Sequence, residues 1–326
     1  MIHTRLKNLF KNFYRPSWWI NTAFPHVHRR TTTRLSHLFY YFEETSKLMD
    51  EDWDNVVILD GCRYDLFQEI NTIEGDLDCR IAPVSATPEF LTENFQDEQF
   101  HKIVYVTGNP TYRTCGLHDV FYRVIDVWKD NWDDELKTVR PEAMAEATKQ
   151  AYKRHPNKLI ISHFMQPHYP FIGDLSTEIG QHSGFEYTYR RVTDKEASRD
   201  NPTVWERLKD DDLSQGLVWD AYKENLEIVL PYVQELVDVL DGKTVITSDH
   251  GNMLGERPFP FASRIYGHPK EVRCKQLCKV PWLICEYNTR KKLIKGGQDM
   301  STELENSEIV TDRLADLGYG YAQSTM

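Results

Sequence analysis

Aspartate and histidine at the ends of short apolar runs are the residues of this sequence best placed to do chemistry. Asn55 to Leu59 (NVVIL) ends in Asp60-Gly61-Cys62-Arg63-Tyr64-Asp65, and Lys102 to Val106 (KIVYV) in Thr107-Gly108-Asn109-Pro110. Lys158 to Ser162 (KLIIS) ends in His163 with Pro167-His168 just beyond, and Lys243 to Thr247 (KTVIT) in Ser248-Asp249-His250-Gly251. Carboxylates mixed with neutral imidazole form an oxygen and nitrogen donor set that suits Zn or Mn, whereas Mg or Ca is better served by oxygen alone. Asp60, Asp249 and His250 are the expected ligands of such an ion, and His268 lies in a later loop that could return to them. Taken singly, an Asp after a strand is as often a helix N-cap, and Pro167-His168 or Gly267-His268 is more often a turn. Their joint placement after strands is what favours a metal site.

Lining up segments so far apart in the chain takes a sheet. Short β-branched runs separated by amphipathic helical stretches are the sign of an α/β fold with a mainly parallel central sheet and helices on both faces. Nearly continuous hydrophobicity within the runs says that both faces are covered. Val280 to Cys285 (VPWLIC) supplies a fifth strand. Ligands of open α/β sheets bind beyond the carboxyl ends of the strands, which is where the groups above fall. Pro141 to Arg154 opens with proline in a first helical turn and reads as a helix. Leu226, Val229, Leu230, Val233, Leu236, Val237 and Leu240 recur at helical spacing, so Leu217 to Leu240 is predicted as a long helix that Pro231 could kink. Residues 173 to 213 are polar and without that rhythm, which fits either a lid or substrate-binding loop or a solvated insertion.

At 326 residues, 40% hydrophobic and 27% charged, the composition is that of a folded chain and excludes disorder and fibre. No run approaches the roughly 20 apolar residues of a membrane-spanning helix, and no apolar core followed by a small-residue cleavage site opens the sequence. A cytoplasmic protein is therefore expected. Six scattered cysteines fit a reducing compartment, and the spacings of Cys274, Cys278 and Cys285 match no common zinc knuckle, so these are read as structural thiols. Residues 1–47 carry a charge of +6 and the remainder −17. This arm interleaves cations with Leu6, Phe10, Phe13, Tyr14, Trp18, Trp19 and Ile20, a mixture suited to peripheral contact with an anionic membrane or to packing over the body with its cations solvated. Nucleic acid is not expected as a partner, because the body is acidic and carries no recognisable nucleic-acid motif. Residues 48–326 read as a single α/β domain with the polar insertion at 173–213.

In order and spacing, the segments VVILDGCRYD, HFMQPHYPF and TVITSDHGNMLGE resemble the alkaline phosphatase superfamily, within it the sulfatase-like branch that includes arylsulfatases and phosphoglycerol or phosphoethanolamine transferases. The resemblance runs from about Asn55 to Cys285 and takes in Trp219 to Leu240, which is similar to the helix before the aspartate-histidine strand of sulfatases. It implies a metal-held Ser, Thr or formylglycine nucleophile at a helix N-terminus, and the matching segment is Ala82 to Phe90 (APVSATPEF). Pro88 reads as a first helical residue and Thr87 as its N-cap, leaving Ser85 just ahead, where amides and the helix dipole favour an anion. Ser85 is thus the expected nucleophile and Thr87 the alternative. No x-Pro/Ala-x-Arg follows Ser85, so formylglycine chemistry is disfavoured, and Asp60-Gly61 with Asp249-His250 looks more like the phospho-transfer ligand set. The insertion holds no Asp-x-x-x-His pair, so the resemblance implies one divalent ion, Zn or Mn before Ca or Mg. His168, His268 and Asn109 are then left to contact the substrate anion, and Arg63 either faces the substrate or pairs with Asp65. The implied activity is metal-dependent hydrolysis of phosphate, less so sulfate, esters on a small-molecule, glycan or lipid-linked substrate. The alternatives are transfer of a phosphoryl-type group between glycan or lipid carriers, and a non-catalytic anion-binding relative.

Overall fold

The central sheet is built from the most apolar β-branched segments of the chain. The structure is a computed structural model that describes residues 24–40, 44–180, 185–193 and 201–294. Its strands are β1 (Asn55–Leu59), β2 (Asp76–Ile81), β3 (Phe100–Thr107), β4 (Phe121–Asp126), β5 (Trp132–Asp133), β6 (Thr138–Val139), β7 (Leu159–Phe164), β8 (Thr244–Thr247), β9 (Met253–Leu254), β10 (Tyr266–Gly267) and β11 (Lys279–Ile284). Seven of them form one sheet in the order β2-β11-β8-β1-β7-β3-β4, and two small antiparallel ladders pair β5 with β6 and β9 with β10. Strands β8, β1, β7, β3 and β4 are parallel, while β11 runs antiparallel to both its neighbours. The fold is therefore α/β with a mainly parallel sheet, and the carboxyl ends of β8, β1, β7 and β3 lie side by side.

Residues of β1 divide between two cores. Val57 and Leu59 join Val104, Val106, Ile160 and Ile246 under a layer that includes helix Pro141–Arg154 and the long helix Gln215–Val239, which contributes Leu226, Val229, Val233 and Leu236. Val56 and Ile58 face the other way with Ile103, Tyr105, Ile161 and Val245, beneath Phe90, Leu91 and Phe95 of helix Thr87–Phe95. Helices over both faces take the strands out of water, which is why the strands read as unbroken apolar runs. Truncating a fully buried side chain of this kind to alanine costs on the order of 2–5 kcal/mol.

The structure departs from the sequence reading in four places. Edge strands β2 (DLDCRI) and β4 (FYRVID) have no apolar run, because one side of each is left partly to solvent. Strand β7 extends to Phe164, so His163 lies inside it rather than after it. Residues 173–213 are not a structureless insertion: they include the short helices Ser176–Ile179, Glu186–Val192 and Val204–Lys209, the last opened by a capping box between Thr203 and Glu206. The long helix starts at Gln215 and continues through Pro231. Of the 1–47 arm, Phe24–Phe39 is a helix laid against the body, where buried Ser36 Oγ accepts from Arg273 N and His37 donates to Glu271 O; the aromatic residues 6–20 lie outside the described residues. No described helix is long and apolar enough to cross a membrane.

Candidate active site

The turn after β1 begins the site. Gly61 takes φ +63°, and a Cβ there would stand 2.7 Å from Asn252 Nδ2 and 3.0 Å from the His168 ring, so only glycine lets the turn tuck beneath both loops. Buried Asp60 uses Oδ2 to accept from Asn109 Nδ2 at 2.7 Å, with His163 Nε2 3.7 Å away, while Oδ1 has no partner. Burial pushes this carboxyl up, but hydrogen bonding from His163 and the neighbouring imidazoles of His168 and His250 outweigh it and hold the group well below the ordinary carboxylate value. Asp249, just past β8, accepts the amides of Gly61 and His250 on Oδ1, each at 2.9 Å, which leaves buried Oδ2 unpartnered. His250 Nδ1 lies 2.8 Å from Gly251 O. A carbonyl only accepts, so Nδ1 carries the proton and Nε2 presents a bare lone pair.

Asp60 Oδ1, Asp249 Oδ2 and His250 Nε2 converge. Ligand atoms of these three residues all lie within 4.8 Å of one another, with Nε2 3.4 Å from Asp249 Oδ2 and 4.0 Å from Asp60 Oδ1. A tetrahedral shell with bonds of roughly 2.0 Å has ligand-to-ligand edges of about 3.3 Å, so small inward shifts would close these atoms on one ion. Two buried carboxylate oxygens without a donor are strongly destabilising unless a cation lies between them. Donor chemistry and orphaned oxygens together fit one divalent ion of the Zn or Mn type. Among the described residues no second such group of His, Cys, Asp or Glu is found, and Cys274, Cys278 and Cys285 are buried free thiols.

Thr87 reaches this cluster and Ser85 does not. The helix Thr87–Phe95 is capped by Ala86 rather than by Thr87, so the Thr87 hydroxyl is not used for capping and sits 3.2 Å from His250 Nε2. Ser85 Oγ is instead 2.9 Å from Pro269 O and 3.3 Å from Glu89 Oε2.

Around the cluster stand two further imidazoles. His168 Nδ1 donates to Tyr169 O at 2.6 Å, leaving Nε2 bare and buried. His268 Nδ1 donates to Asn252 Oδ1 at 2.7 Å, an amide whose orientation is fixed by its own donation to Gly61 O at 3.0 Å. The His268 ring lies 4.5 Å from that of His250 and 4.9 Å from that of His168. Burial lowers the pKa of both His168 and His268, for His268 with added repulsion from the other two imidazoles, so both are neutral near pH 7. Asn109 is drawn in as the partner of Asp60. Arg63 is not: its guanidinium is held by Asp65, Glu256 and Asn252 O, over the Trp219 ring. His163, bonded through Nδ1 to Tyr105 OH at 2.8 Å, and Asn252 belong to the site although the sequence reading assigned them no role. The signals were there, since His163 closes the third run and Asn252 follows His250 by two.

No family model matches the sequence, and no curated protein matches it. Among solved structures, the chain is similar to the integral membrane lipooligosaccharide phosphoethanolamine transferase A from Neisseria meningitidis, at 11% identity and a TM-score of 0.45, over 87% of this chain and 59% of that one. It is also similar to the lipoteichoic acid synthase LtaP from Listeria monocytogenes, at 12% identity and a TM-score of 0.42, over 82% of this chain and 80% of that one. A third likeness is to a protein in the alkaline phosphatase superfamily from Vibrio parahaemolyticus, at 9% identity and a TM-score of 0.37, over 81% and 70% of the two chains. The chain thus spans 59% of the length of the first of these proteins.

Proposed function

We propose that this chain transfers a phospho group from an ester donor to a hydroxyl acceptor through a covalent phosphothreonine at Thr87, with one divalent ion held by Asp60, Asp249 and His250. The observation that carries the reading is the convergence of two donorless buried carboxylate oxygens, a bare imidazole nitrogen and an uncapped hydroxyl at a helix N-terminus. A divalent ion bound there lowers the pKa of a neighbouring hydroxyl and offsets charge on phosphoryl oxygens. Thr87 Oγ1 gives its proton to the bare Nε2 of His168 or His268 as it attacks phosphorus, the bond to the donor's ester oxygen breaks, and the leaving oxygen takes that proton from the imidazole. The first-turn amides of helix Thr87–Phe95 favour the anion beside it. In the second step an acceptor hydroxyl gives its proton to the same imidazole and displaces Thr87 Oγ1, which takes that proton back. Asn109 steadies Asp60, and Asn252 steadies His268.

Hydrolysis shares the first step. Asp60, Asp249 and His250 are 0% exposed, His168 3% and Thr87 5%, so the intermediate is shielded from bulk solvent and its fate depends on which hydroxyl, an acceptor's or water's, is bound beside it. The proposed donor is a phosphate ester, small, glycan-borne or lipid-linked. Thr87→Ala should lower turnover of bis(p-nitrophenyl) phosphate by about 10³-fold or more, whereas Thr87→Ser keeps part of it. Donor alone should leave a phospho adduct on the peptide containing Thr87, read by mass spectrometry. Full activity in Thr87→Ala would sink the reading, and a wild type inert with added Zn and Mn would leave the anion-binding alternative.

A further inference from the structure

Large apolar side chains stand in water beside cations without a carboxylate partner where the helix Phe24–Phe39 meets the loop between β9 and β10. Phe261 is 101% exposed, Leu38 74% and Phe39 57%. The Phe39 ring stacks on Phe259 at 5.1 Å and 5°, which joins the last turn of helix Phe24–Phe39 to the loop between β9 and β10. That loop is closed at its base by Gly255 N to Ile265 O at 2.8 Å and Ile265 N to Glu256 O at 3.0 Å, and Phe261 projects from it. Exposed Arg30 and Arg34 lie on the helix, exposed Arg257 and Arg264 on the loop, and exposed Lys270 follows β10. Arg257 and Arg264 donate to the loop's own carbonyls of Ala262 and Gly255, and none of the five cations pairs with a carboxylate among the described residues.

We propose that this helix and loop, which carry Leu38, Phe39, Phe261 and the five cations, seat the protein on an anionic lipid surface. Apolar side chains enter the boundary between headgroups and acyl chains, and the cations meet the headgroups. The molecule as a whole carries −11, so the same surface repels the rest of it and orients the cationic face inward. Strand β10 leads from this loop directly to His268, which puts the seated face next to the mouth of the site. The proposal does not depend on the reaction assigned to the site.

Sedimentation of the full chain with vesicles tests it. Wild type should pellet with mixed phosphatidylcholine and phosphatidylglycerol vesicles, stay in solution with phosphatidylcholine alone, and be released as salt rises from about 0.1 to about 1 M. Phe261→Ser and the pair Arg257→Gln with Arg264→Gln should each lower the partition constant by about tenfold, the first with the thermal midpoint unchanged because its side chain is exposed, the second with only the loop's own bonds to Ala262 O and Gly255 O lost and the far-UV circular dichroism of the wild type kept. The proposal is overturned if wild type ignores anionic vesicles, if the variants pellet as wild type does, or if Phe261→Ser abolishes only a self-association.

Discussion

Glu89 accepts the amide of Ser85 at 3.2 Å on one oxygen and that of Glu271 at 3.0 Å on the other, while Ser85 Oγ sits 2.9 Å from Pro269 O. The pair fastens the loop that follows His268 to the start of the helix that carries Thr87. Ser85→Ala should therefore cost about 1 kcal/mol in urea unfolding, the usual net worth of a hydrogen bond, and lower kcat by less than tenfold. A loss as large as that of Thr87→Ala would return the nucleophile to Ser85. The grouping of Asp60, Asp249 and His250 could be read from the sequence because polar residues that close apolar runs stand out along the chain. Choosing between Ser85 and Thr87 could not, because it turns on whether the helix cap is Ala86 or Thr87, and local sequence fixes a helix boundary only to within a residue or two. Asp249→Ala should lose metal by elemental analysis while the fold survives; stoichiometric metal in that variant would refute the ligand set.

The long helix Gln215–Val239 continues through Pro231, which removes one N–H from its ladder on an exposed turn. Pro231→Ala is expected to raise stability by about 1–2 kcal/mol, the restored hydrogen bond outweighing the freedom gained by the unfolded chain. Urea midpoints with an unchanged m-value would check it. Tyr189 stacks flat on Trp132 at 4.1 Å, and Phe185 and Trp205 approach the His168 ring at 4.9 and 6.5 Å, so helices of the insertion rest against the site. Their existence was hidden by the polar character of 173–213, where helical stability comes from caps and single aromatic anchors rather than from an apolar stripe. Strands at the centre of the sheet were legible for the opposite reason, being buried on both faces, while β2 and β4 at its edges were not.

At the amino edge of the sheet the chain from Tyr287 to Ile294 crosses beneath the strands. Arg290 is held by Asp52 and Asp54, Lys291 Nζ by Asn55 Oδ1 and Lys158 O, and Ile294 N by Asn157 O. Burial lowers Lys291 to about 8 against an ordinary 10.5, despite Asp54 and Asp241. Between those values the unfolded chain binds the extra proton, so this group's contribution to stability rises as pH rises and is least favourable below the folded pKa. Relative to Lys291→Met, wild type should gain on the order of 2 kcal/mol between about pH 7 and about pH 10. Parallel unfolding curves for the two proteins would disprove it. This crossing segment and the helix Phe24–Phe39 lie at opposite ends of the strands, roughly 15–20 Å apart for five residues of sheet, the helix beside the mouth of the site and Ile294 beneath it. The molecule consequently has a handle and a working end. Anchored to a bead beyond Ile294, it should process bulky and small donors alike; anchored through the Phe24–Phe39 helix, it should lose the bulky ones first.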